Sequence, residues 1–284
     1  MAVLRGSAIL SILVTIGIFV SLLLPSLDFF TEVSLKDFLT GSRWAPTFSD
    51  PGFGVLSLVS GTLWTTVIGL TIAVPIGLGA AVYLSEYAHD RVRRILKPVL
   101  EVLAGLPSVV YGYFALFFVA PVILRSLFGI EVGTFSVLAA GLVLGIMIIP
   151  TVASLSEDAL SAVPQSLRQG SYALGANTMR TTLRVVFPAA ASGITASIVL
   201  ALSRAVGETM IVALAAGTQA QVVLDPRHPG QTMTGFIAQT ATGESTPGTL
   251  TYNTLFAVGL LLFVVTFAIN LIANVVVRRV REAY

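Results

Sequence analysis

Long apolar runs alternate with short polar connectors along this chain. Six stretches carry no Asp, Glu, Lys or Arg: residues 6–27, 51–85, 102–124, 132–156, 185–203 and 245–277. A helix that crosses a hydrocarbon layer needs about 20 apolar residues, so each run reaches a span or nearly does. The fifth is expected to continue past Arg204 and Glu208 through residues 211–216. Strands of a membrane barrel would alternate apolar and polar positions over about 10 residues, and a segment such as SILVTIGIFVSLLL does not. The pattern predicts an all-α integral membrane protein with six transmembrane helices. Pro25-Ser26-Leu27-Asp28 offers no small-x-small cleavage site. The first run is therefore expected to remain as a helix and not to act as a removable signal.

Composition agrees with the pattern. Of 284 residues, 55% are hydrophobic and 11% charged, against roughly 25% charged in a soluble domain. A disordered chain and a soluble enzyme are excluded on that ground. The absence of cysteine excludes disulfides, iron–sulfur clusters and thiolate zinc sites. A net charge of +2 is too small for nucleic-acid binding. The distribution of cations says more than their sum. Arg5, Arg91, Arg93, Arg94, Lys97, Arg168, Arg180, Arg184, Arg278, Arg279 and Arg281 all flank one set of span ends; Lys36, Arg43, Arg125 and Arg227 flank the other. The positive-inside rule places the first set, and both termini, in the cytoplasm.

The connectors suggest a division into residues 1–54, the first helix with an external segment, and residues 55–284, a five-helix core. In the external segment Trp44, Pro46, Phe48, Pro51 and Phe53 read as an interfacial belt of aromatics. A docking surface for a soluble partner is the other reading. In the external loop 217–249, residues 225–230 form a turn-rich break, and Met233, Phe236 and Ile237 are spaced for a short helix. His89 and His228 stand alone, with no second ligand at metal-binding spacing. Gly and Pro inside the spans, such as Pro75, Pro107, Gly141 and Pro150, fit close helix approach and kinks.

The connector 157–187 carries the sharpest signal. Pro164 suits a helix start, Gly175 a stop, and Asn177 the cap of a second helix through 178–186. These make a compact knob on the cytoplasmic side, with Pro188 at the entry to the fifth span. The segment resembles the cytoplasmic motif of bacterial ABC importer permeases, EAA-x3-G-x9-I-x-L-P. Here Gln169-Gly170-Ser171, Tyr172-Ala173-Leu174, Gly175, nine residues and Val185-Val186-Phe187-Pro188 keep every spacing. The residue types depart from the motif, apart from the Gly and the Pro. A finer likeness covers nearly the whole chain. FLTGSRWAPTFSDPGFGVLSLVSGTLWTT, LAGLPSVVYGYFAL and ALSRAVGETM are similar to permeases of phosphate importers of the PstC type.

That resemblance implies a type I importer permease fold. It implies a coupling helix at Arg168, Gln169, Gly170, Ser171, Tyr172, Ala173, Leu174 and Gly175, seated in a cleft of an ATPase. It also implies the partners: a PstA-like sister permease, two copies of a PstB-like ATPase, and a soluble PstS-like phosphate-binding protein. The activity it implies is inward phosphate transport by alternating access. Permeases for sulfate or molybdate share the loop motif and are the alternative. A secondary transporter acting without an ATPase is a further one, but no internal repeat supports it.

No P-loop is present, since Lys36 and Lys97 are both preceded by leucine. Any ATP and Mg would be bound by the partner ATPase, and the chain itself is expected not to be an enzyme and to hold no cofactor. Arg204 and Glu208 are the charges placed within a span, where a charge costs roughly 2.5–3.5 kcal/mol. At i, i+4 on a continuous helix they would share a face and pair. One reading has Arg204 line an anion path, because its planar fork suits oxyanions, with Glu208 holding it in place. The other is a structural ion pair. Ser108, Tyr111 and Thr209 are additional path candidates, near helix breaks or beside the charged pair.

Overall fold

The computed structural model describes residues 1–243 and 246–280. Arg281, counted above among the cations, lies outside them, as does Ser245 at the start of the sixth run. The first run becomes α1 (Ala2–Glu32), which keeps Pro25 inside it and extends past Asp28. Ser34 caps the short α2 (Leu35–Thr40) by accepting from the Asp37 amide at 3.1 Å. A two-residue hairpin follows, β1 (Trp44–Ala45) paired antiparallel with β2 (Gly52–Phe53).

The aromatics here do not form the predicted belt. Phe29, Phe30, Phe38, Phe53 and Trp44 meet edge to face at centroid distances of 5.2 to 6.2 Å. Burial of so much ring surface is worth more than exposure at an interface. Of the aromatics in the 28–54 segment, only Phe48 stays outward.

The second run is α3 (Leu56–Val82), prolonged by a wider π-helical turn through Tyr87. The third run, 102–124, is not one span. Its first residues end α4 (Asp90–Gly105), an amphipathic helix with Arg93 and Lys97 on one side and exposed Ile95, Val99 and Val102 on the other. Leu106 is extended (ψ 137°) because it precedes Pro107. The span starts only at α5 (Ser108–Phe114) and runs on in π-helical turns to Leu127.

Centrally placed, α6 (Val137–Ser161) buries Val143, Leu144, Met147 and Ile148. It packs tightly on α3, where a Cβ on Gly145 would lie 2.8 Å from the Gly69 carbonyl oxygen. Small residues let the two backbones touch in this way.

In the connector, α7 (Gln165–Ala173) ends as predicted at Gly175. Gly175 adopts φ +81°; its amide donates to the Tyr172 carbonyl and the Ala176 amide to the Ser171 carbonyl. This is the Schellman closure that favours glycine. Asn177 caps α8 (Thr178–Thr181), which continues through π-helical turns and α9 (Phe187–Ala189). Pro188 therefore lies inside this segment and does not open the fifth span. The chain bends by 70° before α10 (Ala191–Val206).

Three residues then separate α10 from α11 (Met210–Ala215). The loop beyond holds α12 (Met233–Thr242), whose Phe236 meets Trp44 edge to face at 5.0 Å. Last comes α13 (Leu250–Val280), packed along α1. Among the described residues five helices are long and apolar enough to cross a membrane, or six if the bent pair counts as one span. The 28–54 and 217–249 segments share one end of the bundle. Helix α4 and the 157–187 connector share the opposite, connector end.

Candidate functional site

The fifth span is broken where the sequence suggested continuity. Gly207 ends α10, and Glu208 turns back so that its Oε1 accepts from the amides of Met210 (3.1 Å) and Ile211 (3.2 Å). A carboxylate at a helix start satisfies orphan donors and opposes the helix dipole. The Thr234 hydroxyl of α12 fixes the break by donating to the Glu208 carbonyl at 2.6 Å. Arg204 and Glu208 thus share no helix face, and they form no ion pair. Both earlier roles for Glu208, as the holder of Arg204 and as its structural partner, are corrected: it is a capping group.

Arg204 finds a different neighbour. Its Nη1 donates to Thr151 Oγ1 at 2.9 Å, directly after Pro150 on α6. Among the described residues no carboxylate pairs with Arg204. Beside it, the Ser203 hydroxyl donates to Asn270 Oδ1 at 3.1 Å, tying α10 to α13. The structure therefore pairs Arg204 with Thr151, which sequence reasoning missed.

The remaining candidates are placed as follows. Tyr111 is buried, and its hydroxyl donates to the Leu103 carbonyl at 2.8 Å across the Pro107 break. Ser108 opens α5, half-buried, with no hydrogen-bond partner among the described residues. The Thr209 hydroxyl donates locally to the Gly207 carbonyl at 3.2 Å.

The connector presents a second polar centre. Arg168, expected to face an ATPase, is turned inward instead and is only 7% exposed. It donates to Glu86 at 2.8 Å and to the carbonyls of Val163 (2.6 Å) and Leu160 (2.8 Å). Ser171 is likewise engaged, with Thr181 at 2.8 Å. The outward face of the knob is made of Gln169, Gly170, Tyr172, Ala173 and Leu174, and Leu174 is 91% exposed.

Next to it Glu157, 1% exposed, accepts from Arg93, from Lys97 at 2.8 Å and from Ser161 at 3.0 Å. Glu157 and Asp158 together hold the Lys97 ammonium above the ordinary lysine value. At the far end, Arg227 pulls Asp225 down to about 2. The cationic partners of Glu86 and Glu157 lie 60 to 82 residues away in sequence. The one local signal was that each acid sits at the edge of an apolar run.

Helices of this length, arranged around a central α6 with a knob before α10, give a fold shared with chains of ABC transporters. The fold matches a chain of a bacterial ABC transporter involved in the import of the acidic polysaccharide alginate, with TM-score 0.62 and 15% identity over 97% of this chain and 100% of that one. It also matches the MetNI methionine transporter in its inward-facing conformations, with TM-score 0.58 and 22% identity over 81% and 95%. The chain belongs to the family of binding-protein-dependent transport system inner membrane components, whose family model matches residues 73–282. Relatives include the probable ABC transporter permease protein YqgH of Bacillus subtilis, 39% identical over 83% of this chain and 75% of the relative. Another is the phosphate transport system permease protein PstC of Mesorhizobium japonicum, 33% identical over 97% and 88%. The chain is accordingly a multi-pass protein of the inner membrane.

Proposed function

We propose that the chain is a permease subunit of an ATP-driven importer that moves inorganic phosphate into the cytoplasm by alternating access. The observation that carries the anion is Arg204: a cation within a broken span whose one side-chain hydrogen-bond partner among the described residues is a hydroxyl. A half-buried cation within a span, without an acid, is costly unless an anion or water compensates it. A guanidinium offers an oxyanion two parallel hydrogen bonds. The names of the PstC relatives support phosphate over other oxyanions.

In this reading the termini and the connector face the cytoplasm, as the cation bias requires. The outward face of α7, with exposed Leu174, seats in a partner ATPase that binds ATP and Mg. A sister permease completes the path, and a soluble binding protein delivers phosphate at the opposite face. Arg168 does not touch the ATPase; it secures the knob to the end of α3 through Glu86.

Reconstitution with the sister permease, ATPase and binding protein tests this. Uptake of radiolabelled phosphate into vesicles is expected to need trapped ATP and to be competed by phosphate but not by sulfate or molybdate. Uptake that proceeds without the ATPase, or that sulfate competes equally, overturns the reading.

A further inference from the structure

A continuous polar chain links the knob to α4 at the connector end. Arg168 on α7 binds Glu86. The Ser85 hydroxyl donates to the same carboxylate at 3.0 Å and lies 3.5 Å from that of Ser161. Ser161 donates to Glu157, and Glu157 takes Arg93 and Lys97 from α4. Arg168 also grips the carbonyls of Leu160 and Val163, so α7 and the last turn of α6 are held as one piece.

The far end of α4 leads toward the candidate path. After the Pro107 break it is still tied to α5 by the Tyr111 hydroxyl on the Leu103 carbonyl. Gly112 of α5 packs against α11, where an added Cβ would meet Leu214 at 2.8 Å, and α11 follows directly on the break capped by Glu208. Apolar packing would join α4 to α6 at least as stably as a buried carboxylate between two cations. A charged joint adds direction: the two helices can pivot about it while the cations stay bonded.

We propose that Glu157 is a positioning residue that makes α4 a lever, carrying displacement of the coupling knob to α5 and so to Arg204. The proposal rests on the importer reading above. Removing the carboxylate charge uncouples ATP hydrolysis from transport.

The test uses the complete reconstituted complex. In Glu157→Gln, the ATPase rate is expected to stay within about twofold, while labelled phosphate moved per ATP falls about tenfold, a change typical of coupling energies. Glu157→Asp retains the charge, and the flexible Lys97 stem can follow it; it is expected to keep most of the ratio. An unchanged ratio in Glu157→Gln overturns the proposal. So does a parallel loss of hydrolysis, uptake and assembled complex, which marks a structural role.

A second measurement does not depend on the substrate. The chain has no cysteine, so spin labels can be placed at Val110→Cys on α5 and Leu155→Cys on α6. Their distance is expected to change on ATP binding in the otherwise unaltered complex and to stay fixed in Glu157→Gln. No change in the unaltered complex overturns the lever. A complex that hydrolyses ATP but imports no phosphate overturns the proposed substrate alone, and the label distance still decides the lever.

Discussion

Two arginines of this chain sit in opposite electrostatic settings. Arg168 is buried and fully compensated: a carboxylate and two backbone carbonyls take its protons. Arg204 is half-buried in a span, and one neutral hydroxyl takes one of its protons. The first arrangement leaves nothing for a ligand and spends its charge on holding two segments together. The second leaves a guanidinium fork and a positive potential unanswered. A cation's placement in a membrane protein therefore does not reveal its job; its partners do.

The largest expected effect falls on the compensated arginine. Arg168→Met leaves Glu86 buried without a counter-charge and is expected to cost about 3–5 kcal/mol of stability. The thermal midpoint of the purified protein measures it. The double variant Glu86→Leu with Arg168→Met removes both charges and is expected to regain most of the loss. A double variant as unstable as the single one would show that the carbonyl contacts, not the ion pair, hold the knob.

Arg204 is expected to behave in reverse. Arg204→Ala leaves no acid orphaned, so assembly and thermal midpoint should hold. Uptake should fall about 10- to 100-fold, the worth of a charge-assisted hydrogen bond. Arg204→Lys keeps the charge but loses the fork, and is expected between the two. Thr151→Asp tests the contrast more directly, because it gives Arg204 the kind of partner that Arg168 has. Uptake should then drop about as far as in Arg204→Ala while stability does not. Normal uptake by either Arg204 variant would remove this residue from the path.

Glu208 follows with a smaller effect. As a cap for α11, its loss in Glu208→Ala is expected to cost about 1 kcal/mol of stability. Glu208→Gln, whose amide oxygen still accepts, should cost less. Were Glu208 the partner of Arg204, Gln would be as damaging as Ala. Thermal midpoints of the two variants separate these outcomes.

This pair also shows how far the sequence could be read. Five of the six spans, the α7 start at Pro164, the Gly175 stop and the Asn177 cap were legible because each depends on residues close along the chain. Membrane class followed from charge-free runs, and the knob from motif spacing. Where a local cue was overridden, the cause is visible. Gly207 broke the helix between Arg204 and Glu208, so the i, i+4 rule had no continuous helix to act on. The Leu106–Pro107 step cut the third run. Arg168 was expected to face an ATPase because it falls in the segment that resembles the coupling motif, and nothing nearby announces Glu86. Likewise Thr151 lies 53 residues from Arg204 and follows a proline read only as a kink. Contacts between segments, which built both polar centres, are not written in spacing.

Thr151→Val is expected to have the smallest effect, and its smallness is informative. The hydroxyl accepts from Nη1 at 2.9 Å, so it holds the guanidinium in place in the absence of an anion. It contributes no charge. A half-exposed guanidinium that loses one neutral acceptor can take a water in its stead, so the loss sits near the low end for a hydrogen bond, about 0.5 kcal/mol or roughly twofold in uptake. The sign separates two roles for Thr151. If the hydroxyl only occupies Arg204 until phosphate displaces it, removing this competitor lowers the phosphate concentration needed for half-maximal uptake. If it aims the fork, that concentration rises. Concentration–uptake curves for Thr151→Val and Thr151→Ser decide between them, and the serine variant, which keeps the acceptor, is expected to match the unaltered chain.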